Sequence, residues 1–434
     1  MRADVMRPDV ADVKSTDVVG NSFARVDALA KVQGKALYAG DLSLPRMLYA
    51  AVLRSAHPHA RIARIDTSRA AGLPGLTAVL TARDVPGRNR FGLIVKDQPV
   101  LADDKVRYRG DAVAVVAAET RDLARAALGA IDVEYDVLPA VLDPLDAMQE
   151  NAELVHQTGN VMMHRRIRKG DVRIGFAEAD IVHKATYRTQ LVAHCPLEPE
   201  AGLAIPTPDG GVEVWASTQN PFYDRAEIAA CLGIPEGKVR VKQTVTGGGF
   251  GGKLDISVQC HLALLAVRTG RPVRLIYNVE DHIVVSPKRH PMVMTYNMGA
   301  KRDGRIVAAE IKIVADTGAY ASYGPAVTVR AAIHSAGAYT IPHVLVDSYG
   351  VYTNNTPAGA MRGFGVPQVT FGCESHVDTL ARKLGLHPVR IRQINALAPG
   401  AQTSTGQVLG ESVGLWQAIQ AVAAASGLWQ GQEV

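Results

Sequence analysis

Short apolar runs dominate the first third of the chain. "LYAAVLRS", "LTAVLTA", "AVAVVAA" and "IDVEYDVL" are rich in β-branched and small apolar residues and predict strands. Between the last two the period changes. In "ETRDLARAALGA" Leu123, Ala127 and Leu128 fall on one helical face, Thr120 stands where an N-cap belongs, and Gly129 closes the stretch. This alternation predicts a compact α+β unit ending near residue 145, with Pro139, Pro144 and the polar residues after Met148 marking its boundary.

Strand-like runs resume with "ADIVHKATYRTQ", "GVEVWAST" and "KVRVKQTV", the last of which enters the glycine-rich "TGGGFGGK". "DISVQCHLALLAVRTG" is apolar nearly all round, as a buried helix would be, and Gly270 closes it; "RPVRLIYNVE" then reads as a strand. "RDGRIVAAEIKIVADTGAY" carries a hairpin signal, and "ESHVDTLARKLGLHPVRIRQINAL" a helix stopped at Gly385 and another opened by Pro388. The last periodic stretch, "SVGLWQAIQAVAAASG", sets Leu415, Ile419 and Val422 at helical spacing, with Leu428 and Trp429 beyond it. An apolar helix at that point predicts a core completed elsewhere. The expected layout is a polar tail over 1–24, a first domain over 25–148 and a second over 160–434.

A chain of 434 residues that is 47% hydrophobic can bury a core large enough for more than one domain. The net charge of +5 is small for that length, and no basic tract is interleaved with aromatics, so nucleic acid is not an expected partner. "HRRIRKG" at 164–170 and "KRHP" at 288–291 read as solvated faces. No window approaches a membrane span or a signal peptide, and the expected location is the cytoplasm. Cys195, Cys231, Cys260 and Cys373 lie far apart and read as buried, reduced thiols; an iron–sulfur centre would have to sit on another chain.

The glycine stretch fits two nucleotide patterns. Gly247, Gly249 and Gly252 satisfy G-x-G-x-x-G, while Gly247, Gly252 and Lys253 satisfy G-x-x-x-x-G-K. The second needs a hydroxyl after the lysine to ligate magnesium, and Leu254 stands there. The first needs an acid for the ribose about twenty residues on; Glu280 comes late for it. A stand-alone NAD-dependent oxidoreductase is therefore a minor alternative. Glycines flanking Phe250 suggest instead a backbone brought close to something flat or charged.

Three motifs in order carry a different reading: "WASTQNP" at 215–221, "TGGGFGGK" at 246–253 and "TPAGAMRGFGVPQ" at 356–368. Together they closely resemble the molybdenum subunit of the xanthine dehydrogenase/aldehyde oxidase family of molybdenum hydroxylases. "ARVDALAKVQGKALYAGDL", "VLRSAHPHARI" and "HPVRIRQIN" extend the resemblance over nearly the whole chain. It implies an α+β fold: an amino-terminal α/β hammerhead domain, then the first half of a mixed α+β molybdopterin-binding domain. It also implies a molybdopterin-type molybdenum cofactor, its metal held through the pterin dithiolene rather than by side chains.

By the same resemblance, Gln219 would hydrogen-bond an oxygen ligand of the metal. Gly248, Gly249, Phe250 and Gly251 would border the cofactor with backbone, and Arg362 would lie beside it. Phe364 would stack a flat substrate, and Arg330 would steady its developing negative charge. Leu254 replaces a glutamate of purine-oxidising relatives, which speaks against a purine. Arg362-Gly363-Phe364 lacks the cysteine of relatives that oxidise carbon monoxide.

The family inserts a water-derived oxygen into an electron-poor carbon, using a glutamate as general base, and passes two electrons through iron–sulfur clusters to FAD. That glutamate belongs to a segment beyond residue 434, and neither Glu198 nor Glu200 stands in the right order to replace it; both read as structural carboxylates. The expectation is a split subunit, as in family members that hydroxylate nicotinate: a second chain supplies the glutamate, and iron–sulfur and FAD subunits complete the assembly. The alternative from another class is a cofactor-free scaffold or truncated relic.

Overall fold

The computed structural model describes residues 20–427. Its longer strands, in chain order, are β1 (Leu48–Arg54), β2 (Ala60–Asp66), β3 (Leu76–Thr81), β4 (Ala112–Ala118), β5 (Asp132–Val137), β6 (Val161–Lys169), β7 (Ile181–Arg188), β8 (Ala201–Pro206), β9 (Val212–Ala216), β10 (Val239–Gln243), β11 (Val273–Ile276), β12 (Met292–Ala300), β13 (Ile306–Gly318) and β14 (His343–Tyr352). The predicted runs of the first third become β1, β3, β4 and β5. Their helix forms over Arg121–Leu128, where the Thr120 hydroxyl accepts the Leu123 N–H at 3.2 Å.

The strands gather into two main sheets. One has seven strands in the order β10-β9-β8-β11-β1-β4-β3, so strands from the first and second domains pair in its middle. There β1 lies parallel to β11, with Leu48 opposite Val273 and Tyr49 opposite Arg274. The other has five strands in the order β7-β12-β13-β14-β6, and the smaller β2–β5 pairing flanks the first.

Each main sheet has its own core. Helix Gln259–Thr269, apolar nearly all round in sequence, is buried from Gln259 to Ala266 and packs with Leu48, Val115, Ile228 and Val273. The second core joins the inward faces of β12 and β13 (Met292, Met294, Tyr296, Ile311, Ile313) to Val377 and Leu380 of helix Val366–Leu384. Gly270 and Gly385 end their helices in the left-handed conformation, as the pattern predicts.

Two expectations are corrected. Cys195 is exposed, because the segment between β7 and β8 runs irregularly over the surface; the other three thiols are buried, and all four are free. "KRHP" is interior: Lys288 is 4% and His290 1% exposed, because a later loop covers this segment. In helix Leu415–Ser426 only Ala423 is buried; Leu415 and Ile419 are half-buried and Val422 is exposed. Leu428, Trp429 and most of the predicted polar tail lie outside the described residues. Among the described residues no helix is long and apolar enough to cross a membrane.

Candidate functional site

The turn between β9 and helix Pro221–Leu232 delivers Gln219 to the glycine loop. Its backbone N–H donates to Lys253 O at 2.8 Å, and its Oε1 accepts from the N–H groups of Gly251 at 3.0 Å and Lys253 at 3.2 Å. Both contacts on that atom are donors, so it is the carbonyl oxygen, and the amide N–H2 is left without a partner among the described residues.

The glycines are required by this closeness. A Cβ on Gly249 would lie 2.5 Å from Gln219 Oε1. One on Gly251, whose φ is +104°, would lie 2.5 Å from the carbonyl oxygen of Ala360. The loop is thus wedged between Gln219 and the loop that carries Arg362. Phe250 sits at φ +55°, a region costly for a bulky residue, and its carbonyl accepts the Arg362 N–H at 2.9 Å.

A buried ion pair closes the loop from beneath. Lys253 is 1% exposed, and its Nζ donates to Glu198 Oε2 at 3.0 Å and to Ser217 Oγ at 2.7 Å. The same carboxylate oxygen accepts from Ser217 Oγ and from Gly247 N–H, each at 2.7 Å, so one atom ties both ends of the loop. Glu200, 1% exposed, is paired with His282 at 2.8 Å. Both glutamates are therefore held inside the fold.

The arginine loop is held mainly through its backbone. Arg289 Nη2 donates to Arg362 O at 2.8 Å, Lys288 N–H to Pro357 O at 3.0 Å, and Gly359 N–H to Lys288 O at 2.9 Å. His194 Nε2 lies 2.7 Å from Ala360 O, which makes that nitrogen the N–H; burial pushes its pKa down, so the ring is neutral. The Arg362 guanidinium is exposed and has no partner among the described residues.

Phe364, at φ +54°, turns its half-buried ring edge-on to Tyr323, with centroids 6.1 Å apart. The next residue, Gly365, packs on Val327 and Ala331 of helix Gly324–His334, and Arg330 is exposed on that same turn. Gln219, Gly249, Phe250, Gly251 and Arg362 form one hydrogen-bonded and close-packed constellation. Gly248 packs against the Phe250 ring, while Phe364 and Arg330 make no hydrogen bond or ring contact with the constellation among the described residues.

Sequence reasoning missed Lys288, Arg289 and His194 as supports of this constellation. The available signal was a basic cluster set between the apolar "HIVV" and "PMVM". The nucleotide readings do not fit. Strands β10 and β11 are separated by β9 and β8, and the helix after the glycines begins only at Gln259, so that helix does not open on the loop as a nucleotide fold requires. Leu254 packs against the second core.

Two loops that close on a strand-end glutamine and leave a free amide and a free guanidinium on one surface define a cofactor-binding class. The model for the molybdopterin cofactor-binding domain matches residues 155–396, and that for the a/b hammerhead domain of aldehyde oxidase and xanthine dehydrogenase matches residues 33–139. The chain belongs to this family of molybdenum-dependent oxidoreductases. It is 48% identical over 407 residues to the nicotinate dehydrogenase large molybdopterin subunit of Eubacterium barkeri, covering 94% of this chain and 96% of that one.

Among solved structures it resembles the aldehyde oxidoreductase of Desulfovibrio gigas (TM-score 0.90, 32% identity), over 93% of this chain and 46% of that one. It also resembles quinoline 2-oxidoreductase from Pseudomonas putida 86 (TM-score 0.87, 30% identity), over 94% and 54%. The chain thus spans about half the length of these two. The residues present fit the cofactor: the Gln219 amide N–H2 and the Arg362 guanidinium are two unpartnered donors suited to oxygen and sulfur ligands, flanking a backbone stripped of side chains.

Proposed function

We propose that this chain is the cofactor-binding component of a cytoplasmic, multi-subunit molybdenum hydroxylase acting on a flat, electron-poor N-heteroaromatic ring. The bound molybdenum cofactor supplies the oxygen insertion and accepts two electrons. Gln219 would offer its amide N–H2 to an oxygen ligand of the metal, a role its carbonyl could not share because Gly251 and Lys253 already occupy it. Gly248, Gly249, Phe250 and Gly251 border the cofactor with backbone, and Arg362 offers its guanidinium beside it. The Phe364 ring receives the substrate face. Arg330 stabilises negative charge that develops on the ring during attack.

The general-base glutamate comes from a separate chain, and iron–sulfur clusters and FAD on further subunits carry electrons away. The reading rests on one observation: Gln219, the Phe250–Gly251 turn and Arg362 meet while two donors remain free. The near-complete coverage of the nicotinate dehydrogenase large subunit supports the split. Metal analysis of the complex purified with its native partners is expected to find molybdenum, and Arg362→Ala to abolish turnover with an unchanged circular dichroism spectrum. An active complex without molybdenum, or wild-type turnover in the variant, would refute the proposal.

A further inference from the structure

A second polar cleft opens where β1 meets β11. Strands β1 and β11 pair over two positions only, after which β1 continues beside β4 and β11 beside β8. The two parallel strands therefore part beyond Tyr49 and Arg274, beside the cleft. Helix Arg121–Leu128 walls the gap, which has a volume of ≈ 130 Å³.

Three guanidinium groups line it: Arg121, Arg125 and Arg274. Arg274 lies over the Tyr49 ring at 5.2 Å, and its Nη1 donates to Leu42 O at 3.0 Å, but its buried Nε has no partner. Leaving a buried N–H unmade costs free energy. Arg121 and Arg125 stand one helical turn apart on the same face and have no acidic partner among the described residues. Like charges at that spacing repel, and Arg121 stands in the first turn, where the helix dipole disfavours a cation. Of the described lining residues, Asp281 is the one carboxylate, and it is engaged in capping by the Asn278 N–H at 3.2 Å.

We propose that this cleft binds a phosphate-class oxyanion, either inorganic phosphate or a phosphate monoester. Such an ion would pair with the three guanidinium groups that line the gap and relieve the repulsion between Arg121 and Arg125. The site is far in sequence from the Gln219 constellation, shares no residue with it and does not depend on the molybdenum reading.

The test titrates the full chain with inorganic phosphate and, separately, with AMP, at ionic strength held constant with sodium chloride. Calorimetry and thermal unfolding are the readouts. Saturable binding with a Kd on the order of 1 mM or tighter is expected, with a rise in Tm over equal-strength chloride. Arg125→Gln should weaken binding roughly tenfold. Arg121→Gln combined with Arg125→Gln should abolish the phosphate-dependent rise in Tm without lowering Tm in chloride. AMP binding more tightly than phosphate identifies the monoester as the ligand; equal or weaker AMP binding identifies the free ion. No phosphate-specific rise in Tm, or the same rise in the double variant, would overturn the proposal.

Discussion

Lys253, at the end of the glycine loop, and Lys288, beneath the arginine loop, are 1% and 4% exposed, yet among the described residues only the first makes an ion pair with a carboxylate. Lys253 shares Glu198 Oε2 with Ser217 and Gly247. Lys288 Nζ donates to Ser286 Oγ at 2.9 Å and to the Ser286 carbonyl, and burial pushes its pKa down to about 8. The glycine loop thus stands on one buried ion pair. The arginine loop stands on several backbone contacts spread over Arg289, Lys288 and His194. A concentrated anchor fails when one atom is removed, whereas a distributed one tolerates the loss of a single side chain.

The sharpest way to break this contrast is Glu198→Ala. It leaves Lys253 as an uncompensated buried charge, and the expected loss of stability is about 3–5 kcal/mol, read as a lowered Tm or urea midpoint. Combining Glu198→Leu with Lys253→Met should recover a large part of that loss, because the charge and its partner leave together. A cost below about 1 kcal/mol for Glu198→Ala would mean that the loop has another support and that the contrast is false.

A smaller effect is expected where the loops touch. Gly251→Ala forces a Cβ to 2.5 Å from Ala360 O at a φ of +104°, so either the backbone shifts or the strain is carried, at about 1–3 kcal/mol. Gly237→Ala is the control, since a Cβ there meets open space at an ordinary φ. The difference between the two in thermal unfolding measures how firmly the glycine and arginine loops are pressed together. Equal Tm values would show that they are not.

Local pattern made much of the fold legible. The period of "ETRDLARAALGA", its Thr120 cap and the stops at Gly270 and Gly385 are decided by neighbours within one or two turns, and all are where the pattern puts them. What local pattern does not carry is long-range pairing. Nothing near Leu48 signals that it will lie beside Val273, and nothing near Glu198 signals Lys253.

"KRHP" misled for the same reason: its polarity reads as solvent-facing until the loop from Pro357 to Gly359 is laid over Lys288. Cys195 misled in the opposite sense, an apolar residue type carried on an irregular surface segment. Of the site, spacing alone yielded glycines that brought backbone close to something. The pairing of Gln219, Phe250 and Arg362 came from resemblance to a family, because no local rule joins residues so far apart.

Lys288 gives the smallest effect at pH 7 and the one that depends on pH. Its pKa is about 8 in the folded chain, below the 10.5 of an ordinary lysine. Between those values the unfolded chain binds more protons than the folded one, so this group makes stability rise with pH, by up to about 1.4 kcal/mol per unit. Below pH 8 the burial penalty is fully present and the slope from this group vanishes. Lys288→Met removes the penalty together with the hydrogen bonds to Ser286, two changes of opposite sign, so at pH 7 the net change should stay within about 1 kcal/mol. Unfolding of the two proteins should then diverge in slope from pH 8 to 10.5: the wild type gains stability relative to the variant as pH rises. Parallel profiles would mean that Lys288 has a hidden anionic partner and that the two loops are held alike.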